Sequence, residues 1–408
     1  MSTLTPDLEC SPVLADAVPH RTQRFRLAVL TFAHFLNDGA VNFLPGVLPA
    51  VLVRLALPNA DAGLIMSALL VGQGLQPFMG WLSDRYGQGW FFVPGLSLSL
   101  LGGALVGLAD RFWVLIAILF AIGIGNAAFH PPGLAMARRI AREERASFVM
   151  SVFLVGGEIG RGLGPLLASL LILGWGFHGL LILAVPILCF VPLLPRTIRP
   201  AAHRVPHPIP ATQRSWTRRV RPLWPLLLFA GLRATLVYAS VTFIPILWHD
   251  RGGSLIVGAS LVSVQLIVGV VGNLGGGWLA DRLGRRPLLV LMGLLSPLLL
   301  GVYLVLPMPW AYLDLGVLGI SLFATLPVTI LIGQDRSQGE PAFGSGVALG
   351  LGNALGAMGL LALGALIPLV GVEGALGGAI AAGLLAVPVA WWGFGDTRRP
   401  DRLAPAAG

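Results

Sequence analysis

Lysine is missing from this chain altogether: its 27 basic residues are all arginine, and they outnumber the 18 acidic ones. Charge of either sign is scarce, at 11% of residues against about 25% in soluble domains, so a charged, water-covered surface is excluded. A nucleic-acid partner is excluded with it, because such a protein gathers its arginines on a polar face and here they stand between apolar runs. There are only two cysteines, Cys10 in a polar tail and Cys189 inside an apolar run, and their different expected depths exclude a disulfide framework. No metal-ligand spacing and no cofactor motif is present. The first twenty residues hold acids and prolines without the basic-then-apolar order of a cleavable signal, so the first apolar helix is expected to direct insertion itself.

What is abundant is apolar sequence, 56% of the chain. A membrane crossing takes about 20 such residues, and the runs predict twelve spanning helices. These are α1 (27–52), α2 (62–83), α3 (90–109), α4 (112–137), α5 (147–174) and α6 (177–194), then α7 (223–248), α8 (253–280), α9 (287–306), α10 (310–333), α11 (343–370) and α12 (374–394). The expected organisation is a polar tail (1–26), a six-helix bundle (27–194), a linker rich in Arg, Pro and His (195–222), a second six-helix bundle (223–394) and a short tail (395–408). Twenty-two arginines fall in the tails, the linker and the connections on the same side, against Arg54, Arg111 and Arg251 on the other. By the positive-inside rule both termini and the linker belong in the cytoplasm of a cell with these helices in its plasma or inner membrane.

The helices are arranged around a stretch that occurs twice. Gly80-Trp81-Leu82-Ser83-Asp84-Arg85-Tyr86-Gly87 closes α2 and returns 197 residues later as Gly277-Trp278-Leu279-Ala280-Asp281-Arg282-Leu283-Gly284, closing α8. A repeat at half the chain length means two halves of like topology. The duplicated turn resembles the loop between helices 2 and 3, and its echo between helices 8 and 9, in the major facilitator superfamily of transporters. The resemblance implies an all-α membrane fold of twelve helices in two pseudo-symmetric halves, a cavity lined by α1, α4, α7 and α10, and a cytoplasmic latch at Asp84, Arg85, Asp281 and Arg282 that engages when the site faces outward. The first copy departs from the family pattern, with Gln88 and Gly89 where two basic residues are usual.

Ionisable groups inside spanning helices are costly and mark candidate sites. In α1, His34, Asp38 and Asn42 follow at i, i+4 and i+8, along one side of the helix. Asp38 reads either as the permanently charged partner of a cation or as a proton carrier, since burial favours the protonated form of a carboxylic acid in general; His34 reads as a relay or as a packing residue. In α4, Asn126 and His130 lie one turn apart, ahead of Pro131 and Pro132, where a bend is expected. The segments Phe32-Ala33-His34-Phe35-Leu36-Asn37-Asp38 and Phe129-His130-Pro131 resemble the fosmidomycin-resistance type of exporter within the superfamily. In α5, Gly156-Gly157-Glu158-Ile159-Gly160-Arg161-Gly162-Leu163-Gly164-Pro165 resembles the helix 5 signature of superfamily antiporters, with Ala168 and Ser169 where further glycines are usual. Glu158 and Arg161, at i and i+3, read as an ion pair, structural or in the pathway. At the position in α4 where many proton-coupled drug exporters carry an arginine, this chain has Leu119 and Phe120.

Arg233 in α7 is the clearest candidate for gripping an anionic group, and the 197-residue offset sets it two residues from the counterpart of Asp38. Gln265 and Asn273 in α8 and Asn353 in α11 read as substrate contacts or as links between helices. Asp314, Asp335 and Arg336 are expected to reach water at the ends of α10 and are given no transport role. The expectation is a secondary transporter, working as a monomer on a small molecule and protons. Proton-coupled efflux of a small amphiphilic or anionic compound leads, with Asp38, His34 and Glu158 on the proton and Arg233, His130, Asn126, Arg161, Asn42, Gln265 and Asn353 on the substrate. Uptake of an organic acid or sugar is the alternative, and a non-transporting sensor or scaffold lacks the large soluble domain it would need. No nucleophile with a base partner occurs in the helices, so an enzyme is not expected.

Overall fold

The computed structural model describes residues 20–140, 146–197, 220–337, 344 and 346–394. The tails with Cys10, most of the linker and the connection holding Arg142 and Arg145 lie outside them, and so do the expectations made there. Among the described residues every regular element is helical.

Ten runs are long and apolar enough to cross a membrane. Two of them, Val149–Leu193 and Val347–Gly393, have 45 and 47 residues, roughly 70 Å at 1.5 Å per residue and more than twice the hydrocarbon thickness. Each run turns back at a glycine of positive φ, Gly176 at 62° and Gly371 at 71°. Past the turns Gly179 packs on Leu171 and Gly378 on Leu363, contacts that a straight helix forbids. Each run therefore supplies two arms, α5 with α6 and α11 with α12, and the ten runs give twelve arms. The α6 arm differs from the regular helix expected: it alternates 3-10 turns (Gly176–Ala184, Val191–Leu193) with short α-helices (Val185–Cys189, Leu194–Thr197). Pro186, Pro192 and Pro195 remove the amide donors that a continuous ladder needs.

Proline also explains where other spans break. The first consists of His20–Asn42 and Leu44–Arg54, the second of Asp61–Gln73 and Gln76–Tyr86, and the tenth of Trp310–Ala324 and Leu326–Arg336. Each second piece has proline as its second residue (Pro45, Pro77, Pro327), which cannot donate to the preceding turn but suits a new helix start. The repeat partner of α2 has Leu274 at the position of Pro77, and it runs unbroken as Leu255–Leu283. The fourth span, Phe112–Ile140, stays helical through Pro131 and Pro132.

The buried apolar side chains form three clusters. One joins the two halves of the sequence, reaching from Val41, Leu48 and Leu69 to Val237, Leu318 and Leu376. The other two draw separately on residues after the linker and before it, and these lie toward the face that carries the Asp-Arg turns. The two halves thus share one apolar core toward one face and keep separate cores toward the other. Where they join, Gly63 meets the backbone of Leu360 and Gly364, Ser67 Oγ donates to Ala357 O at 3.2 Å and Asn59 Nδ2 donates to Asp250 Oδ2 at 2.8 Å. Leucines, valines and tryptophans cover the outside; Trp90, Trp113, Trp175, Trp224, Trp278 and Trp310 stand exposed near helix ends, where amphipathic rings favour the interface.

Candidate functional site

The site begins with a glycine stripe. Gly156, Gly160 and Gly164 repeat every four residues along one face of α5, and this face lies directly on the backbone of α1 at Thr31, Phe35 and Gly39. A side chain at any of the three would collide with a carbonyl, so the close approach requires glycine. Gly157 leaves room in the same way for the His34 ring. The approach brings Arg161 and Glu158 of α5 to the level of Asp38 in α1.

Asp38 is buried at 2% exposure and is surrounded from three helices. Arg161 NH2 lies 3.6 Å from its Oδ2, His34 Nε2 3.6 Å from the same oxygen, and His130 Nε2 3.4 Å from Oδ1. Asn37 Nδ2 donates to Oδ1 at 3.0 Å and to Asn126 Oδ1 at 2.8 Å. Arg161 serves two carboxylates at once, with NH1 3.2 Å from Glu158 Oε2. Asn273 Nδ2, from the other half, donates to Glu158 Oε1 at 3.4 Å.

The two imidazoles are held by backbone carbonyls: His34 Nδ1 donates to Phe153 O at 2.8 Å and His130 Nδ1 to Asn126 O at 3.2 Å. A carbonyl only accepts, so both Nδ1 atoms carry hydrogen. Both Nε2 atoms then point at each other, 3.3 Å apart, and at the Asp38 carboxylate. Three acceptors facing one another repel unless a proton lies among them, and one proton on either Nε2 turns the contact into a hydrogen bond and an ion pair. The sequence shows no metal spacing, yet the fold gathers ligand atoms of His34, Asp38 and His130 within 4.8 Å of one another. That spacing could hold a divalent ion, but the fixed guanidinium charge of Arg161 beside Asp38 opposes two added positive charges there more strongly than one.

The cluster opens onto a cavity of about 270 Å³ between the halves, lined by Asp38, Asn42, Asn126, His130, Arg161, Arg233, Tyr238 and Asn353 among apolar side chains. Asn42 also donates from Nδ2 to Asp38 O at 2.9 Å. Arg233 is buried at 8% exposure and shares the cavity with Asp38, but no ion pair joins them among the described residues. Asn353 follows a π-helical turn, Val347–Leu351, a distortion frequent at functional sites.

Other expected residues fall elsewhere. Gln265 does not line this cavity: it is fully buried between α7 and α8, with Nε2 donating to Ser240 Oγ at 2.7 Å, the contact of a link between helices. Asp314 is buried at 7% exposure and not at the water boundary expected. Asp335 does reach water and pairs with Arg285. Of the latch residues, the side chain of Asp84 lies outside what is described; the Arg85 guanidinium lies 5.8 Å from the ring centres of Trp81 and Tyr86 and that of Arg282 4.0 Å over Trp278. Among the described residues, Arg85, Asp281 and Arg282 make no bond to the opposite half. Gln88 accepts from Arg139, tying the first turn to α4. Three contributors were missed in the sequence: Asn37, the Phe153 carbonyl and Tyr238. Asn37 adjoins Asp38, and a site assigned to one helix stripe at i and i+4 passes over it.

Comparison with known proteins gives the same assignment as the duplicated turn. The sequence profile described as Major Facilitator Superfamily matches residues 30–362. An uncharacterized MFS-type transporter, YfnC, of Bacillus subtilis (strain 168) is 29% identical over 361 residues, 85% of this chain and 87% of that protein. The fosmidomycin resistance protein of Escherichia coli (strain K12) is 25% identical over 367 residues, 86% and 88% of the two chains. In fold, the chain is similar to a bacterial homologue of the human lysosomal transporter Spinster solved in an inward-facing, unoccupied conformation, with TM-score 0.74, 16% identity, and coverage of 92% and 98%. With its helical architecture, its repeated Asp-Arg turn and a profile match over most of its length, this multi-pass membrane chain belongs to the Major Facilitator Superfamily.

Proposed function

We propose that the chain is a proton-coupled secondary transporter that exports a small amphiphilic or anionic compound by alternating access. One observation carries the reading: a buried group of ionisable side chains from α1, α4 and α5 opens onto a cavity between two halves whose apolar cores join toward one face only. Asp38, His34 and His130 hold the proton, Arg161 and Glu158 balance the charge around it, and Arg233, Asn42, Asn126 and Asn353 face the substrate. The arginine distribution supports a cytoplasmic assignment for the face with separate cores, both termini and the linker, with the two six-helix bundles rocking about the cavity and the Asp-Arg turns engaging when that face closes. The membrane potential favours export of a net negative charge by about 2.3 kcal/mol per 100 mV.

The unpaired Arg233 favours a second reading, cotransport, because an anion bound near Asp38 and a proton on its cluster attract each other. Flux in everted vesicles with and without an imposed proton gradient tests both. Acceleration of export by an opposing proton flow, lost in Asp38→Asn at equal expression, supports exchange. Movement of proton and solute in the same direction supports cotransport, and flux that ignores the gradient in wild type sinks the coupling altogether.

A further inference from the structure

Arg233 stands apart from every other charge in the cavity. The charged side chains around the cavity are Asp38, Glu158, Arg161 and Arg233, and Arg161 spans both carboxylates at 3.2 and 3.6 Å. Among the described residues no carboxylate comes within ion-pair reach of Arg233, and its buried Nε has no hydrogen-bond acceptor. A guanidinium cannot shed its proton to escape the cost of burial, and an uncompensated buried charge is among the costlier features a fold can carry. The group is nine-tenths buried and lines the cavity at the edge of a stripe formed by Ala234, Val237, Tyr238 and Val241, residues spaced to share one side of α7. Tyr238, whose hydroxyl is a neutral donor, lines the same cavity. The cavity wall also carries Met66 and Leu69 from α2 and Leu266 and Phe323 from α8 and α10, apolar surface interrupted by Gln73 and Gln76.

We infer that Arg233 and Tyr238 form the head-group subsite for a monoanion with a compact apolar body. The inference rests on the transport reading above and narrows its substrate class. Guanidinium presents two parallel N–H donors that match a carboxylate or two oxygens of a sulfonate or phosphonate monoester. One free positive charge takes one negative charge; a second would have to sit beside Asp38 and Glu158. A cation would meet Arg233 with nothing to neutralise it, and a neutral amide would leave the guanidinium unpaired.

Binding to the purified full-length protein tests this without requiring flux. The probes are benzoate and benzenesulfonate (monoanions of two shapes), phthalate (a dianion), benzamide (neutral) and benzylammonium (a cation), titrated by calorimetry. Both monoanions are expected to bind at least about 30-fold more tightly than benzamide or benzylammonium, the scale of a buried charge pair that lacks one partner, with phthalate weaker than benzoate. Arg233→Gln is expected to erase that preference, Arg233→Lys to keep part of it, and Tyr238→Phe to weaken benzoate a few-fold. Because Arg233→Gln removes an unpaired buried charge, its unliganded melting temperature is expected to match or exceed wild type, which separates lost binding from lost folding. Failure of the monoanions to bind better than benzamide, or an unchanged preference in Arg233→Gln, overturns the inference. Absent flux in vesicles alongside an intact preference for monoanions overturns the transport reading and not this one.

Discussion

Replacing Gly160 with alanine puts one methyl group between α1 and α5 at the level of the Asp38 cluster. The added carbon would collide with Phe35 O and stand 2.9 and 3.0 Å from Phe35 C and Cα, against about 3.5–4.0 Å for an ordinary contact. The obstacle is backbone on both sides, so no rotamer change relieves it and the helices must part by roughly 0.5–1 Å. Overpacking of this kind costs about 1–3 kcal/mol, while alanine returns about 1 kcal/mol of helix propensity. The separation also stretches the bridge between the same two helices: moving Arg161 and Asp38 from 3.6 Å to about 4.6 Å weakens their attraction by about 1 kcal/mol at an effective dielectric constant near 20. The sum is a destabilisation of about 1–3 kcal/mol, with the larger effect expected on proton-coupled flux, because the proposed proton site lies where the geometry is disturbed.

The matching control is Gly275→Ala in α8, where an added carbon meets nothing within 4 Å and alanine should be neutral or stabilising by up to about 1 kcal/mol. Thermal unfolding of the two variants in detergent, with vesicle flux on the same preparations, checks the comparison. If Gly160→Ala melts with Gly275→Ala and keeps its proton-driven flux, the close approach of α1 and α5 does not organise the site.

Three further outcomes are expected. Arg161→Gln leaves both Asp38 and Glu158 without their shared cation and should destabilise the fold by about 3 kcal/mol or more, whereas Asn273→Ala, losing one long hydrogen bond, should cost about 0.6 kcal/mol; unfolding of both in parallel checks the ratio. Arg282→Ala gives up, among the described residues, the stacking on Trp278, about 0.5–1 kcal/mol, so a large loss of transport with a small loss of stability would mark Arg282 as acting in the other conformation, and equal small losses would remove the latch. Gly63→Leu drives a side chain into the backbone of α11 where the halves join, so cysteines introduced beside this contact should become more reactive to membrane-impermeant thiol reagents from that face; unchanged labelling would contradict a seal there.

The parts of this molecule that could be read from sequence are those that depend on neighbours along the chain. Apolar runs, the repeated Asp-Arg turn, the i, i+4 placement of His34 and Asp38 and the glycine spacing of α5 are all local patterns, and each is where the pattern puts it. Gln265 and Asp314 show the limit: a polar residue in an apolar helix announces that it needs a partner but not which, and Gln265 found Ser240 instead of the cavity. The site itself joins residues 38, 130 and 161, and its assembly depends on how closely three helices approach, a quantity that no single helix encodes.

That dependence also bears on why the charged cluster and Arg233 are distinct. The cluster is built mainly within one half: α1, α4 and α5 all precede the linker, Arg161 bridges its two carboxylates, and Asn273 adds one long hydrogen bond from the other half. Arg233 comes from the other half and lacks a partner among the described residues, so the cavity holds a bridged cluster and a lone guanidinium on opposite sides of the boundary that the proposed alternating access would move. A solute held between them touches both halves, and its departure leaves Arg233 unpaired again. On the proposed reading, the strength of an anion's grip on Arg233 is tied to the distance between the halves, and that distance is what the proposed cycle would change.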